Sequence, residues 1–371
     1  MSFAAEYPEQ RYILPKTTVQ RAVLLPEGVM GTVAVREGQA VEMNTVIARG
    51  RLPAYHHIVD AAVDLRLRNP DDVEVFLLAK PGEQVQAGQA IAGRNPNRGR
   101  RAFSPADGMI AGVANGRIVV REFASAVEVV AGMRGFVTEV RRRRGAIIQT
   151  VGAVLQGIWG NGQRAVGAIR MEPEDGLDFI RGDEINMRWR GSIVVTRDPL
   201  TELGLSVMDE QDMAGVIAPS MDATLLDTVV GYNRTVMLTE GFGLGRMSAP
   251  TYSFLEETVT ANQNIRGTLD AVLPGLAQAR RPELIMTVQT RSGEEPPPPK
   301  TVRRLRPGMQ VRVVRPPFAG QTGRVDEVLE TLFSLEGGLR VPAARVTLTN
   351  GETTSIPIVN LELFAGTRKT G

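Results

Sequence analysis

The stretch Val311-Arg-Val-Val-Arg-Pro-Pro-Phe-Ala-Gly-Gln-Thr-Gly-Arg-Val325 decides how the last part of the chain is read. Val311 and Val313, then Val325 and Val328, place apolar side chains at strand spacing, while Pro316, Pro317, Gly320 and Gly323 punctuate the turn between them; this is the pattern of a β-hairpin. Arg340 to Leu348 and Thr353 to Val359 supply two further strands, joined at Asn350-Gly351, a dipeptide that suits a type I′ turn because both residues tolerate positive φ. Four or five short strands in about sixty residues are expected to close into a small barrel, which removes the exposed edges of an open sheet.

Within that span the order is Pro-Gly-x-x-Val-x-Val (Pro307 to Val313), Pro-Phe-Ala-Gly (Pro317 to Gly320), Gly-x-Val (Gly323 to Val325) and a closing Val-Asn-Leu-Glu (Val359 to Glu362). Together these residues resemble the KOW motif of the carboxy-terminal domain of NusG-type transcription elongation factors and of several ribosomal proteins. The resemblance covers roughly Leu305 to Phe364. It implies an SH3-like barrel with a surface for RNA, ribosomal protein or transcription partners, to which Arg312, Arg315, Phe318 and Arg324 would contribute. The linker from Leu329 to Gly338 is longer than in compact KOW barrels, which puts in question any partner read by that loop. The alternative is an SH3-like barrel that only holds domains together.

A chain of 371 residues exceeds what one core usually supports, so about two to four domains are expected. Lys and Arg number 43 against 41 Asp and Glu, so a global field able to hold nucleic acid is absent and any such binding must come from local patches. No cysteine occurs, which excludes disulfides, thiolate nucleophiles, iron–sulfur clusters and cysteine zinc sites. The amino terminus lacks the basic start and apolar run of a secretory signal, and no apolar stretch is long enough for a membrane span. These features lead to the expectation of a soluble cytoplasmic protein.

Upstream of the tail, Arg291-Ser-Gly-Glu-Glu-Pro-Pro-Pro-Pro-Lys300 reads as a semi-rigid polyproline II spacer. A softer boundary lies near Arg190. Before it, Gly31 to Ala48 and Val75 to Ala92 form an imperfect repeat, each with an apolar strand, a Gly turn, a Val, a further turn and an Ile-Ala ending. Two such hairpins are expected to pack face to face as a flattened barrel. The region resembles the barrel-sandwich hybrid fold of biotinyl and lipoyl domains. Those domains carry a modified lysine at the hairpin tip, where this chain has Arg94-Asn-Pro-Asn-Arg-Gly-Arg-Arg101. A guanidinium cannot be acylated in that way, so what remains is a scaffold with a basic hairpin. Arg94, Arg98, Arg100 and Arg101 are candidates to contact phosphates or acidic protein surfaces, or simply form a solvated turn.

A second basic run, Arg141, Arg142, Arg143 and Arg144, sits at another hairpin tip, and arginine forks match phosphate oxygens of RNA or DNA. Solvent screening makes a bland charged turn the competing reading. Trp159, among glycines, is either a stacking platform or a core residue.

From Gly191 the pattern alternates: a strand at Ser192 to Thr196, a helix capped by Asp198, a strand at Gly215 to Ala218, a helix from Asp222, a strand at Arg234 to Thr239, and a helix capped by Ser248. This predicts a small parallel sheet flanked by helices. Ligands in such sheets sit beyond the carboxyl ends of the strands. There Glu240-Gly241-Phe-Gly243-Leu-Gly245 is a possible phosphate loop, although Glu240 places a carboxylate where phosphate would sit. Asp198, Asp222 and Glu240 are a possible magnesium cluster, with helix capping as the alternative for both aspartates. The adjacent His56 and His57 point to opposite sides of a strand and have no catalytic companions, so no catalytic residue, resident metal or cofactor is expected.

The sequence therefore predicts a multidomain protein. Residues 1–130 are expected to form a barrel-sandwich-like β domain, 131–190 a glycine-rich β segment carrying the arginine hairpin, 191–290 an α/β domain, 291–300 a linker, and 301–371 an SH3-like barrel. Three functional readings stand. The first is a non-enzymatic factor binding RNA, ribosome or transcription machinery. The second is an interaction scaffold forming a homo-oligomer or larger assembly. The third is a nucleotide- or flavin-binding enzyme centred on the α/β domain.

Overall fold

The structure, a computed structural model, describes residues 7–180, 186–262, 264–273, 280–288, 296–299 and 304–365. It is β-rich, 44% strand against 14% helix, and most of its strands belong to one large mixed sheet, so the order of strands in that sheet organises everything else.

The parallel centre forms where the sequence is apolar without alternation. Ser192–Val195 and Gly215–Met221 are buried at every position and pair in parallel, and Thr235–Phe242 continues the ladder. Strands covered on both faces need no polar side. Alternate residues enter two different cores: Ile193, Val195 and Ile217 lie in one, Val194, Val216 and Ala218 in the other. The helices Glu202–Glu210, Leu226–Val230 and Ala249–Ala261 supply the cover. The first is capped by Thr201, whose hydroxyl accepts from the Gly204 amide at 2.9 Å, and not by Asp198. Asp222 does cap, accepting from the Thr224 amide at 2.8 Å. Ser248 precedes its helix without a side-chain cap, its hydroxyl instead meeting that of Thr251.

The sheet does not stop at residue 191. Arg164–Met171 pairs in parallel with Ser192–Val195, and beyond it Arg266–Asp270, Glu283–Thr287, Gly145–Gln156 and Glu9–Leu24 follow as antiparallel neighbours. The glycine-rich segment and the start of the chain are thus built into the same sheet as the α/β region.

The repeated turns are realised twice with the same bonds. In the first copy the Gly38 amide donates to Val137 O at 2.8 Å, and the Gln39 and Thr45 side chains accept from Arg36 N and Glu42 N. In the second the Gly82 amide donates to Ile110 O at 2.8 Å, and Glu83 and Gln89 accept from Lys80 N and Gln86 N. Gly38, Gly82 and Gly88 all have φ between 77 and 91°, which only glycine adopts freely. Each copy nevertheless feeds its own core, Val35, Val41 and Ile47 in one and Ala79, Val85 and Ile91 in the other, instead of closing face to face over a shared one.

The tail forms the expected hairpin, Gln310–Val313 with Thr322–Val328, then Ala343–Leu348, Thr353–Pro357, a 3-10 turn Ile358–Asn360 and Leu361–Ala365, which returns to pair with Gln310–Val313. The turn at Asn350-Gly351 differs from the expected type. Only Gly351 has positive φ (87°), its amide donates to Leu348 O, and Leu348 N reaches Glu352 O. This is a type I turn closed by a left-handed glycine bulge, which suits a loop longer than two residues. The tail is also not a separate body. Leu361–Ala365 uses its other edge to pair in parallel with residues 9–12 of the long first strand, in register Glu9 to Glu362. The expected spacer follows suit in its described part, because the Thr17 hydroxyl donates to Pro297 O at 2.9 Å. No helix among the described residues is long and apolar enough to cross a membrane.

Candidate nucleic-acid interface

The 141–144 turn joins Gly135–Arg141 to Gly145–Gln156, with Arg143 in the left-handed region at φ 62°. It is held from outside. The Gly31 amide donates to Arg143 O at 2.9 Å, the Leu25 amide to Arg144 O at 2.7 Å, and Arg144 Nη1 donates to Pro26 O and Val29 O. Arg141 pairs with Glu139 at 3.1 Å. Arg142 and Arg143 are exposed and meet no carboxylate among the described residues. The turn is therefore a fixed mount for two unneutralised guanidinium groups.

The other arginine loop closes the ribbon formed by Ala90–Gly93 and Arg101–Phe103, and residues 94–100 are all exposed. Arg98 and Arg100 lie along it without an acidic partner among the described residues, while Arg94 stacks over Phe76 and Arg101 over Phe103.

The tail residues separate into two groups. Arg315 and Arg324 are exposed, and Phe318 is half-buried against the barrel core. Arg324 lines a groove of about 780 Å³ between the barrel and the helix Ala249–Ala261, facing Ser253, Phe254 and Glu257. Arg312, expected on the recognition surface, is buried at 6% exposure and cannot reach a partner there. Its position in the strand turns it inward, toward the carboxyl end of Thr235–Phe242, where Nε meets the Glu240 carboxylate at 2.7 Å and Nη2 donates to Glu240 O at 3.0 Å.

That contact belongs to a buried ion cluster that sequence reasoning missed. Arg11, fully buried, lies 3.3 Å from Glu362 and 3.7 Å from Glu240 and donates through Nη1 to Thr239 O. Arg281 adds a 2.6 Å contact to Glu362. Burial pulls the Arg11 pKa down against the raising effect of Glu362 and Glu240. Burial likewise would raise the Glu362 carboxyl, but Arg11, Arg281 and Arg312 outweigh it and hold it below its ordinary value. The cluster ties the first strand, the central sheet and the tail at one point. Its sequence signal was faint, an arginine directly before the short apolar run Tyr12-Ile13-Leu14.

The candidate ligand loop is committed elsewhere. Glu240 spends its carboxylate on Arg312, Arg11 and the Ser248 amide at 3.2 Å; Asp198 pairs with Arg246 at 2.5 Å; Asp222 caps its own turn. Gly241 and Gly243 take positive φ, and Gly245 O accepts from the Ser220 hydroxyl at 2.7 Å. Among the described residues no group of metal-ligating side chains is large enough for an ion. One carboxylate at these strand ends was not anticipated: Glu172, raised in pKa by burial against the lowering effect of the Arg197 and Leu177 amides that it accepts. His57 meets Glu122 at 3.0 Å while His56 is exposed, and Trp159 is a core residue set edge-on to Phe242.

The arrangement can offer charge, stacking and a groove. No protein-family model matches the chain, and no curated protein matches it either, so its function is read from the geometry.

Proposed function

We propose that the protein is a non-enzymatic RNA-binding factor that presents arginine-rich turns to the phosphate backbone from a scaffold of docked domains. One observation carries this reading. Arg142 and Arg143 stand exposed, with no carboxylate partner among the described residues, on a turn whose carbonyls are pinned by Leu25 and Gly31. A turn already fixed loses little conformational freedom on binding, and guanidinium forks suit phosphate oxygens. The tail supports the same reading through its strand order, with a 3-10 turn before a last strand that returns to the first; this resembles the SH3-like barrel of KOW domains. In that barrel Arg315 and Arg324 are the exposed cations, and Arg312 serves the docking instead.

The test is fluorescence anisotropy of the full chain with labelled single-stranded RNA across a salt series. Replacing Arg142→Ser and Arg143→Ser together removes two phosphate contacts and should flatten the logarithmic salt slope by about 1.4, at roughly 0.7 per contact. An unchanged slope in a folded variant would overturn the proposal.

A further inference from the structure

The loop 94–101 differs in kind from the turn at 141–144, because it pairs its charges with rings. In Arg101–Phe103 the middle residue, Ala102, is fully buried, so the alternation of a strand puts Arg101 and Phe103 on the same outward face. The Arg101 guanidinium lies 4.9 Å from the Phe103 ring centroid, and its Nη1 donates to Pro96 O at 2.8 Å, which fixes its plane. Across the ribbon the partners are Gly93 opposite Arg101 and Ala90 opposite Phe103. Neither has a side chain long enough to cover the ring or the guanidinium, and Phe103 keeps 43% of its surface exposed. A cross-strand neighbour of ordinary size would have buried both. At the other end of the loop Arg94 repeats the pairing over Phe76 at 5.6 Å. Between the two pairs stand Arg98 and Arg100, exposed and without carboxylate partners among the described residues.

We infer that this ribbon face is a stacking platform for unpaired nucleobases, so that the polyanion is single-stranded rather than duplex RNA. The inference rests on the RNA reading above and adds strandedness to it. A flat, open arginine–phenylalanine surface takes the face of a base, which a duplex hides in its stack; the arginines at the loop apex take the flanking phosphates. The open Phe103 ring thus selects for strandedness, while the turn at 141–144 contributes charge that duplex and single strand satisfy alike.

The experiment compares the full chain binding a short labelled single strand with the same strand annealed to its complement. Wild type should favour the single strand, and Phe103→Leu, which keeps an apolar residue but removes the ring, should weaken single-strand binding by about 5- to 150-fold, the range of one lost stack. Duplex affinity and the salt slope should not move. Phe103→Trp should retain the preference, which guards against a mere folding defect. Equal affinity of wild type for both forms, or an unaltered preference in Phe103→Leu, would overturn the platform while leaving RNA binding intact. No binding of either form would overturn the RNA reading together with it.

Discussion

Glu362→Gln is the sharpest test of how the tail is attached. The Glu362 side chain is 2% exposed and meets Arg11 at 3.3 Å, Arg281 at 2.6 Å and Arg312 at 3.7 Å. Glutamine preserves the shape and removes the charge, leaving Arg11 and Arg312 to share Glu240, at 3.7 and 2.7 Å. At an effective dielectric of about 20, one attraction at the Arg11 distance is worth roughly 5 kcal/mol. Breaking a buried pair by removing one partner costs about 3–5 kcal/mol, since the remaining charge is left uncompensated. The expected loss of unfolding free energy is therefore about 3–5 kcal/mol. Both tryptophans, Trp159 and Trp189, lie in one core of the central sheet, far in sequence from the substituted position. Their fluorescence in a urea titration reports on the α/β region alone. If the tail is part of one cooperative body, the tryptophan midpoint falls with the mutation. A tryptophan transition that stays in place while the tail's β signal is lost would refute the coupling.

The same carboxylate sets a pH dependence. Because Glu362 is held below the ordinary carboxylate range in the folded chain, its contribution is complete above that range and is lost as pH falls through the depressed value; Glu362→Gln should lack this acid-side decline, and identical urea midpoints against pH in both proteins would exclude it. Gly323→Val would set its Cβ 2.7 Å from Thr347 O and 2.8 Å from Val346 Cγ1, a clash with backbone on one side. It should cost about 3 kcal/mol and lower the tryptophan midpoint as well, a shift whose absence in the titration would show the barrel melting alone.

The sequence marked the fold wherever one local rule decided it. The parallel strands were legible because apolar runs such as Ser192 to Val195 alternate with helical stretches, and the tail hairpin because glycine and proline bracket two apolar runs. The repeat was legible too, in its strands, glycine turns and Ile-Ala endings, but the side chains that close its turns and its packing were not, since similar turns carry no information about which core they face. What escaped was long-range pairing. Nothing local in residues 9–12 says that their neighbour is 361–365, and a proline-rich stretch reads as a spacer until Thr17 is seen donating to it. For the site, positions of arginines were readable and their orientation was not: Arg312 and Arg324 both lie on adjacent strands of one hairpin, yet one is buried against Glu240 and the other is open. Phe103 went unnoticed because a single aromatic in a short strand signals nothing until the residues opposite it and Arg101 prove to be alanine and glycine.

The parallel pairing of residues 9–12 with 361–365 makes the earliest strand wait for the latest. During synthesis Arg11 emerges long before Glu240 and Glu362, the carboxylates that face it, so the region around it has no complete closed form until the tail has been made. A chain interrupted before Leu361 would leave the edge of residues 9–12 open and Arg11 with Glu240 in place of two carboxylates, a segment ready to pair with another strand.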